Sequence, residues 1–124
     1  MIALAPSGKK EEIQALFKKN KILPGKSADC VVARCGKEVL GYSLYELSET
    51  AITIYYIDPV DDVALADGIL RSTLHVAAER GVMKAFYNGT AMEALAQRLD
   101  FILDKGQQTL NIDKLFQNCN GCKP

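Results

Sequence analysis

Between residues 51 and 89 the chain reads AITIYYIDP, then VDDVALADGILRSTLHVAAERG, then VMKAFYNG. The first piece is rich in β-branched and aromatic residues, and Pro59 closes it. In the second, Val63, Ala66, Ile69, Leu70, Thr73 and Ala77 recur at the spacing of one helix face, and Gly81 suits the position just past the helix end. The third is a short, mostly apolar strand. Strand, acidic loop, helix and strand form a βαβ unit. No other stretch restricts the fold as much, because two strands joined through a helix run parallel and need that helix as cover on one sheet face.

The flanking sequence supplies further layers. Residues 2–5 read as a short strand, and Pro6-Ser7-Gly8 breaks it and offers an N-cap. Residues 9–20 form an amphipathic helix with Ile13, Leu16 and Phe17 on one face; Glu11 and Glu12 begin it and Lys18 and Lys19 end it, as the helix dipole favours. Residues 23–26 are a loop. A meander of three strands follows at 29–35, 38–47 and 51–58, turned by Gly36-Lys37 and Ser48-Glu49-Thr50. Gly41 inside the second strand marks a bulge or a close approach of another segment. The central helix spans roughly 62–80, with Asp67 and Arg71 at pairing distance on its exposed side. A strand at 82–87, a helix at about 91–99 and a strand at 100–104 come next. The end holds a strand at 109–112 and one or two helical turns at 112–117. No repeat or linker divides the chain, so residues 1–118 are expected to form one domain and 119–124 a short cysteine-containing tail.

The bulk properties fit that outline. The chain has 124 residues, 48% of them apolar and 24% charged, enough for one packed core. Lys plus Arg and Asp plus Glu both number 15, so the total charge gives no footprint for nucleic acid or an anionic membrane. No apolar run approaches the roughly 18 residues of a membrane span, and the opening residues are too short for a signal-peptide core. A cytoplasmic location is expected.

Several residues could carry chemistry. Cys119 and Cys122 form a CxxC, half of a tetrahedral zinc site or a redox pair. Cys30 and Cys35 could complete a zinc set, but an odd separation along one strand sends their side chains to opposite faces. The expected state is buried Cys30 and Cys35 and a tail pair open to oxidation, with no metal. His75 is the sole histidine and has no Cys or Asp at triad or metal spacing. No HExxH, GxSxG or GxxxxGK[ST] occurs, which leaves zinc-protease, α/β-hydrolase and P-loop chemistry without support. Glu46, Glu49, Asp58, Tyr55 and Tyr56 sit where strands could present a proton acceptor. Tyr42, Tyr45, Tyr55 and Tyr56 cluster on adjacent strands, as sheet packing, a cleft wall or a dimer face.

The order of helix, three-stranded meander, helix, strand, helix and strand resembles the GNAT acyltransferase fold. The resemblance is carried by Gly41 in VLGYSL, the strand end Ile57-Asp58-Pro59, the helix end Ala78-Glu79-Arg80-Gly81-Val82, and Leu99-Asp100-Phe101, which stands where the family often has Leu-Gly-Phe. It covers about residues 2–112. It implies an α/β fold, with a mixed, mostly antiparallel sheet and helices on both faces. It also implies acetyl-CoA as cofactor. The backbone of Ile57, Asp58 and Val60 would take the pantetheine arm and the helix start at Val63, Ala64, Leu65 and Ala66 the pyrophosphate, with Asn88 a further cofactor-binding residue.

Residue by residue, the expected phosphate loop is altered. The family signature, Arg or Gln, two residues, Gly, one residue, then Gly or Ala, falls on residues 61–66, where only Ala66 matches. Asp61 replaces a cation or amide and Ala64 replaces the glycine that lets backbone N–H groups approach phosphate. The helix start is expected to be satisfied by the protein's own acids, with acetyl-CoA held weakly or in an altered pose. The family's tyrosine acid falls on Leu95 or Ala96, neither of which can donate a proton. Three readings stay open: an acyl-CoA-dependent N-acyltransferase, a non-catalytic module that binds a small ligand or a second copy of itself, and a zinc or redox role for the CxxC.

Overall fold

Side-chain alternation along the central strands sorts the interior into two layers. In the strand Ala28–Cys35, Cys30 and Val32 turn to one face and Val31 and Ala33 to the other, all four buried. The computed structural model describes residues 2–116. Their elements are β1 (Ile2–Pro6), α1 (Lys10–Lys19), β2 (Ala28–Cys35), β3 (Glu38–Leu47), β4 (Ile52–Asp58), α2 (Val63–Glu79), β5 (Ala85–Tyr87), α3 (Thr90–Arg98), β6 (Ile102–Asp104) and β7 (Thr109–Leu110), then a 3-10 turn at Ile112–Phe116. The strands form one seven-stranded sheet in the order β1-β2-β3-β4-β5-β7-β6. All pairs are antiparallel except β4 with β5, the pair joined through α2. No helix among the described residues is long and apolar enough to cross a membrane.

Helix α1 covers one face through Phe17, which packs with Cys30, Val32, Tyr42 and Leu44. Its expected N-cap is not made: the cap position is Lys9, with no side-chain hydrogen bond. Ser7 instead donates to Glu12 Oε1 at 2.5 Å, and Arg34 on β2 donates to the same oxygen. These two donors, Ser7 first, hold the Glu12 carboxyl below its usual range and tie α1 to the sheet. On the opposite face Ala66, Ile69, Leu70, Leu74 and Ala77 of α2 pack with Val31, Tyr45, Ile52, Ile54 and Ile57. The buried hydroxyls of Ser43 and Thr73 meet across this layer at 2.6 Å, and Thr73 also donates to the Ile69 carbonyl.

Two bulges shape the meander. Leu40 is an extra residue of β3 opposite Ala33 and Arg34, and Tyr55 is an extra residue of β4 opposite Leu44 and Tyr45. The second shifts the phase of β4: Ile52, Ile54 and Ile57 enter the α2 layer, while Tyr55 and Tyr56 both pack on the α1 layer. Gly41, beside the first bulge, is also a close-approach site. A Cβ there would overlap the Asp58 carbonyl and lie 2.8 Å from Pro59 Cδ and 2.9 Å from Ile69 Cδ1.

All three helices end in the same hydrogen-bonded closure. In α2 the N–H of Gly81 bonds to the carbonyl of Ala78 and that of Val82 to Ala77, with Gly81 at φ 75°. This closure shortens the expected strand at 82–87 to Ala85–Tyr87, because Val82 is spent on the helix end and buried against the core. Lys21 and Asp100 take the left-handed position after α1 and α3, at φ 59° and 62°. Asp100 and Phe101 therefore belong to the end of α3, and the next strand begins at Ile102 rather than residue 100. Strand β7 is likewise shorter than residues 109–112, since Ile112 opens the 3-10 turn. Residues 119–124, with the CxxC, lie outside the described residues.

Candidate functional site

The sheet parts between β4 and β5. Their parallel register runs Ile52 with Ala85, Thr53 with Phe86 and Ile54 with Tyr87, and the N–H of Asn88 donates to the Ile54 carbonyl at 3.0 Å. There β5 stops, whereas β4 continues to Asp58. Residues 55–58 thus run on without a β5 residue opposite. Beyond the parting lies a cavity of about 270 Å3, lined by Val60 from the β4–α2 loop and by Ala91, Ala94, Leu95 and Arg98 from α3. Those four positions are i, i+3, i+4 and i+7, one stripe of a helix. The cleft therefore combines the loop that follows β4 with an apolar helix stripe and the exposed Arg98.

Helix α2 begins beside this cleft. Asp62 is its N-cap, and Oδ1 accepts from the N–H of Leu65 at 3.2 Å while the Asp62 carbonyl accepts from Ala66 at 2.9 Å. Own-chain capping, expected from the sequence, is thus present and rests on Asp62. Asp61 is exposed next to it. The first-turn N–H groups of Val63 and Ala64 are not called on by intrahelical bonds and could receive an anion. Two exposed carboxylates beside them oppose that anion.

The remaining candidates disperse. Glu46 is half-buried on β3 and accepts a hydrogen bond from the Tyr55 hydroxyl at 2.6 Å. Burial, then the Glu46 carboxylate, pushes the Tyr55 hydroxyl up to about 12. Burial and the nearby Asp58 charge also raise that of Tyr56, so both phenols are protonated at neutral pH. Asp58 ends β4 opposite Tyr42, whose hydroxyl accepts from Asn20 at 2.9 Å and whose ring centroid is 6.3 Å from that of Tyr56. Glu49 is exposed in the turn before β4, at the other end of that strand from the cleft. Tyr45 separates from Tyr42, Tyr55 and Tyr56 by packing in the α2 layer. His75 is exposed on α2, its ring 6.0 Å from that of Phe116. Cys30 is fully buried, with its thiol pushed up to about 12 by desolvation first; Cys35, expected to be buried, is exposed, because it ends β2 opposite the exposed Ile2 of the edge strand.

The structure brings Val60 into the cleft and places Asp58 on the free end of β4. Ile57 and Ala66 have buried side chains, so only their backbones could meet a ligand. Ala64 and Leu65 line a different, larger depression on the β1 side of α2. Asn88 is exposed and closes the β4–β5 ladder. Leu95 and Ala96, where the family's acid would stand, are buried. Sequence reasoning missed Ala91, Ala94 and Arg98 as cleft residues, although the stripe they form with Leu95 was visible as helical spacing.

No protein-family model matches this chain, and no curated protein matches it in sequence. Solved structures do. The chain is similar to an acetyltransferase of the GNAT family from Desulfovibrio desulfuricans, with TM-score 0.55, 11% identity, and 81% of this chain and 82% of that one covered. It is similar to a ribosomal-protein-alanine N-acetyltransferase from Brucella melitensis biovar Abortus 2308, with TM-score 0.57, 13% identity, and 81% and 89% covered. A GNAT family acetyltransferase from Elizabethkingia anophelis, solved with acetyl-CoA bound, aligns with TM-score 0.54 at 13% identity over 79% and 74%. The element order, the parting of β4 from β5 and these alignments together give the chain the GNAT fold.

Proposed function

We propose that this chain is an acyl-CoA-dependent N-acyltransferase with a weakened hold on the pyrophosphate. The observation that carries the reading is the parting of the sheet after Ile54, which leaves residues 55–58 without a β5 residue opposite, while Val60, in the loop that follows β4, lines a cavity walled by α3. An extended strand end can pair with the amide-bearing pantetheine arm as a strand pairs with a peptide. The N–H groups of Val63 and Ala64 would receive the pyrophosphate, against the charge of Asp61 and Asp62. One solved structure of the same fold holds acetyl-CoA.

An acyl-CoA thioester supplies an activated acyl group. As the acceptor nitrogen attacks its carbonyl carbon, the N–C bond forms and the C–S bond breaks. Asp58, the carboxylate on the free end of β4, is proposed to take the proton from the acceptor amine. Leu95 and Ala96 cannot protonate the leaving sulfur, so that proton comes from water. The Tyr56 hydroxyl, held protonated, can donate a hydrogen bond to the acceptor.

Calorimetric titration with acetyl-CoA tests the reading. Wild-type protein is expected to bind more weakly than the low-micromolar range, and the double variant Asp61→Arg, Ala64→Gly to bind roughly tenfold or more tightly. Absence of binding by both proteins would sink the proposal. Low-micromolar binding by the wild type would sink the weakened pyrophosphate site.

A further inference from the structure

The two edges of the sheet are treated differently. One edge, β6, has three residues, ends in Asp104 and is followed by Lys105. Short, charged edges resist pairing with other chains. The other edge, β1, has five residues, IALAP, none of them charged and all exposed. Ile2 is 48% exposed and Leu4 37%.

The phase of β1 can be read from its inner neighbour. The N–H of Ser7 donates to the carbonyl of Cys30, so the even residues of β2 turn their backbone groups toward β1. Those residues stand opposite Ala3 and Ala5 in the register, where Ala3 faces Arg34 and Ala5 faces Val32. Backbone direction alternates along an antiparallel strand. Ala3 and Ala5 therefore bond inward, and Ile2, Leu4 and Pro6 turn their backbone groups outward. Pro6 is the one position of the three that lacks an N–H, which proline tolerates on an edge.

The side chains of Ile2 and Leu4 stand on the α2 face, because their register partners Cys35 and Ala33 bracket the α2-facing phase and Leu4 Cδ1 would lie 3.6 Å from a Cβ on Gly68. There they wall an open, mostly apolar depression of about 560 Å3 with Leu40, Pro59, Leu65 and Gly68, and with Asp62 and Ala64 of the α2 start. Among the described residues, an unpaired neutral edge and a mostly apolar depression thus meet along one strand.

We propose that this edge pairs with the β1 strand of a second copy of the chain, antiparallel and about a two-fold axis at Ala3. In that register Ile2 exchanges both backbone hydrogen bonds with the partner's Leu4, and Leu4 with the partner's Ile2. The arrangement is self-complementary, as a two-fold interface must be. It leaves Pro6 outside the exchanged pairs. A register centred on Leu4 would set the partner's Pro6 opposite Ile2 and lose a donor on each side. Neither strand carries a charged side chain, so no like-charged side chains stand opposite each other within the pair. The apolar side chains of Ile2 and Leu4 meet their counterparts over the depression, and the seven-stranded sheet becomes one sheet shared by two chains.

Light scattering behind a sizing column, over a wide range of concentration, should give a species of twice the 13.6 kDa chain mass. Leu4→Lys should return the monomer mass, while Leu103→Lys on the β6 edge leaves the dimer intact. The register has its own test in a background of Cys35→Ser, Cys119→Ser and Cys122→Ser. Ala3→Cys sits on the two-fold axis in a non-hydrogen-bonded pair, close enough for a disulfide, so mild oxidation should link two chains. Ala5→Cys should not link under the same conditions. A wild-type protein that stays monomeric at every concentration overturns the proposal, whether or not an added peptide binds the edge. So does a dimer that Leu4→Lys leaves whole while the fold is retained, or one in which Ala5→Cys links and Ala3→Cys does not.

Discussion

The two helices that flank the cleft are held in different ways. Helix α2 has 17 residues, starts on the Asp62 cap and stops at Gly81. Its boundaries are written locally, in residues that any chain could use for the same purpose. Helix α3 has nine residues and starts at Gly89, φ 96°, with no side-chain cap. Its stop falls on Asp100 in the left-handed region. What holds α3 comes from elsewhere: Lys114 donates to the carbonyls of Leu99 at 2.9 Å and Asp100 at 2.8 Å, and Lys105 lies 3.4 Å from Glu93. The fully buried Phe101 is flanked by two cations, Lys114 at 4.5 Å and Arg71 of α2 at 5.1 Å from its ring centroid. A short helix is marginal alone, so the α3 wall of the cleft depends on tertiary contacts that the ends of α2 do not need.

Breaking those contacts should have the largest effect. Phe101→Ala should cost about 3–5 kcal/mol in denaturant unfolding, since it opens a cavity where α2, α3 and the 3-10 turn meet. Lys114→Met keeps most of the aliphatic packing and removes both charged hydrogen bonds; about 2 kcal/mol is expected, with hydrogen exchange rising in α3 before α2. An equal rise in both helices would remove the distinction drawn between them. Asp62→Ala should cost about 1 kcal/mol, the worth of one cap. Asp62→Ser, which keeps a capping oxygen and deletes the charge, should hold stability and tighten acetyl-CoA binding in a titration. The smallest effect is expected at the stop signal of α3. Asp100→Gly should stabilise by about 0.5–1 kcal/mol, because glycine takes φ 62° without the steric cost of a Cβ. The Asp100 carboxylate adds little against that, lying 3.8 Å from Lys114 with its side chain 97% exposed.

Local signals in the sequence were the ones that could be read. The meander strands, α1, α2 and the stop at Gly81 all follow from period, cap and glycine, and their bounds in the structure differ from the expected ones by a residue or two. The α/β architecture and its GNAT resemblance followed from the order of those elements. The shortening of the strand at 82–87 was not legible, because Val82 looks like a strand residue while serving as the apolar residue of a helix closure. Nor was the role of Lys114, which acts on carbonyls some 14 residues earlier in the chain. At the site, Asp62 as a cap was legible, since a cap lies within three residues of what it satisfies. The α3 wall was harder: Ala91, Ala94, Leu95 and Arg98 form a plain helical stripe, and period alone does not say which part of the molecule a stripe faces.

The bulge at Tyr55 also makes the protein its own optical sensor. The sequence has five tyrosines and no tryptophan, so its near-ultraviolet emission comes from tyrosine alone. By turning Tyr55 and Tyr56 to the same side as Tyr42, the extra residue gathers three of the five emitters on the α1 layer. One of them donates to the Glu46 carboxylate and another accepts from Asn20 at the end of α1. Changes in emission therefore report chiefly on the layer beneath α1 and the free end of β4, without any label.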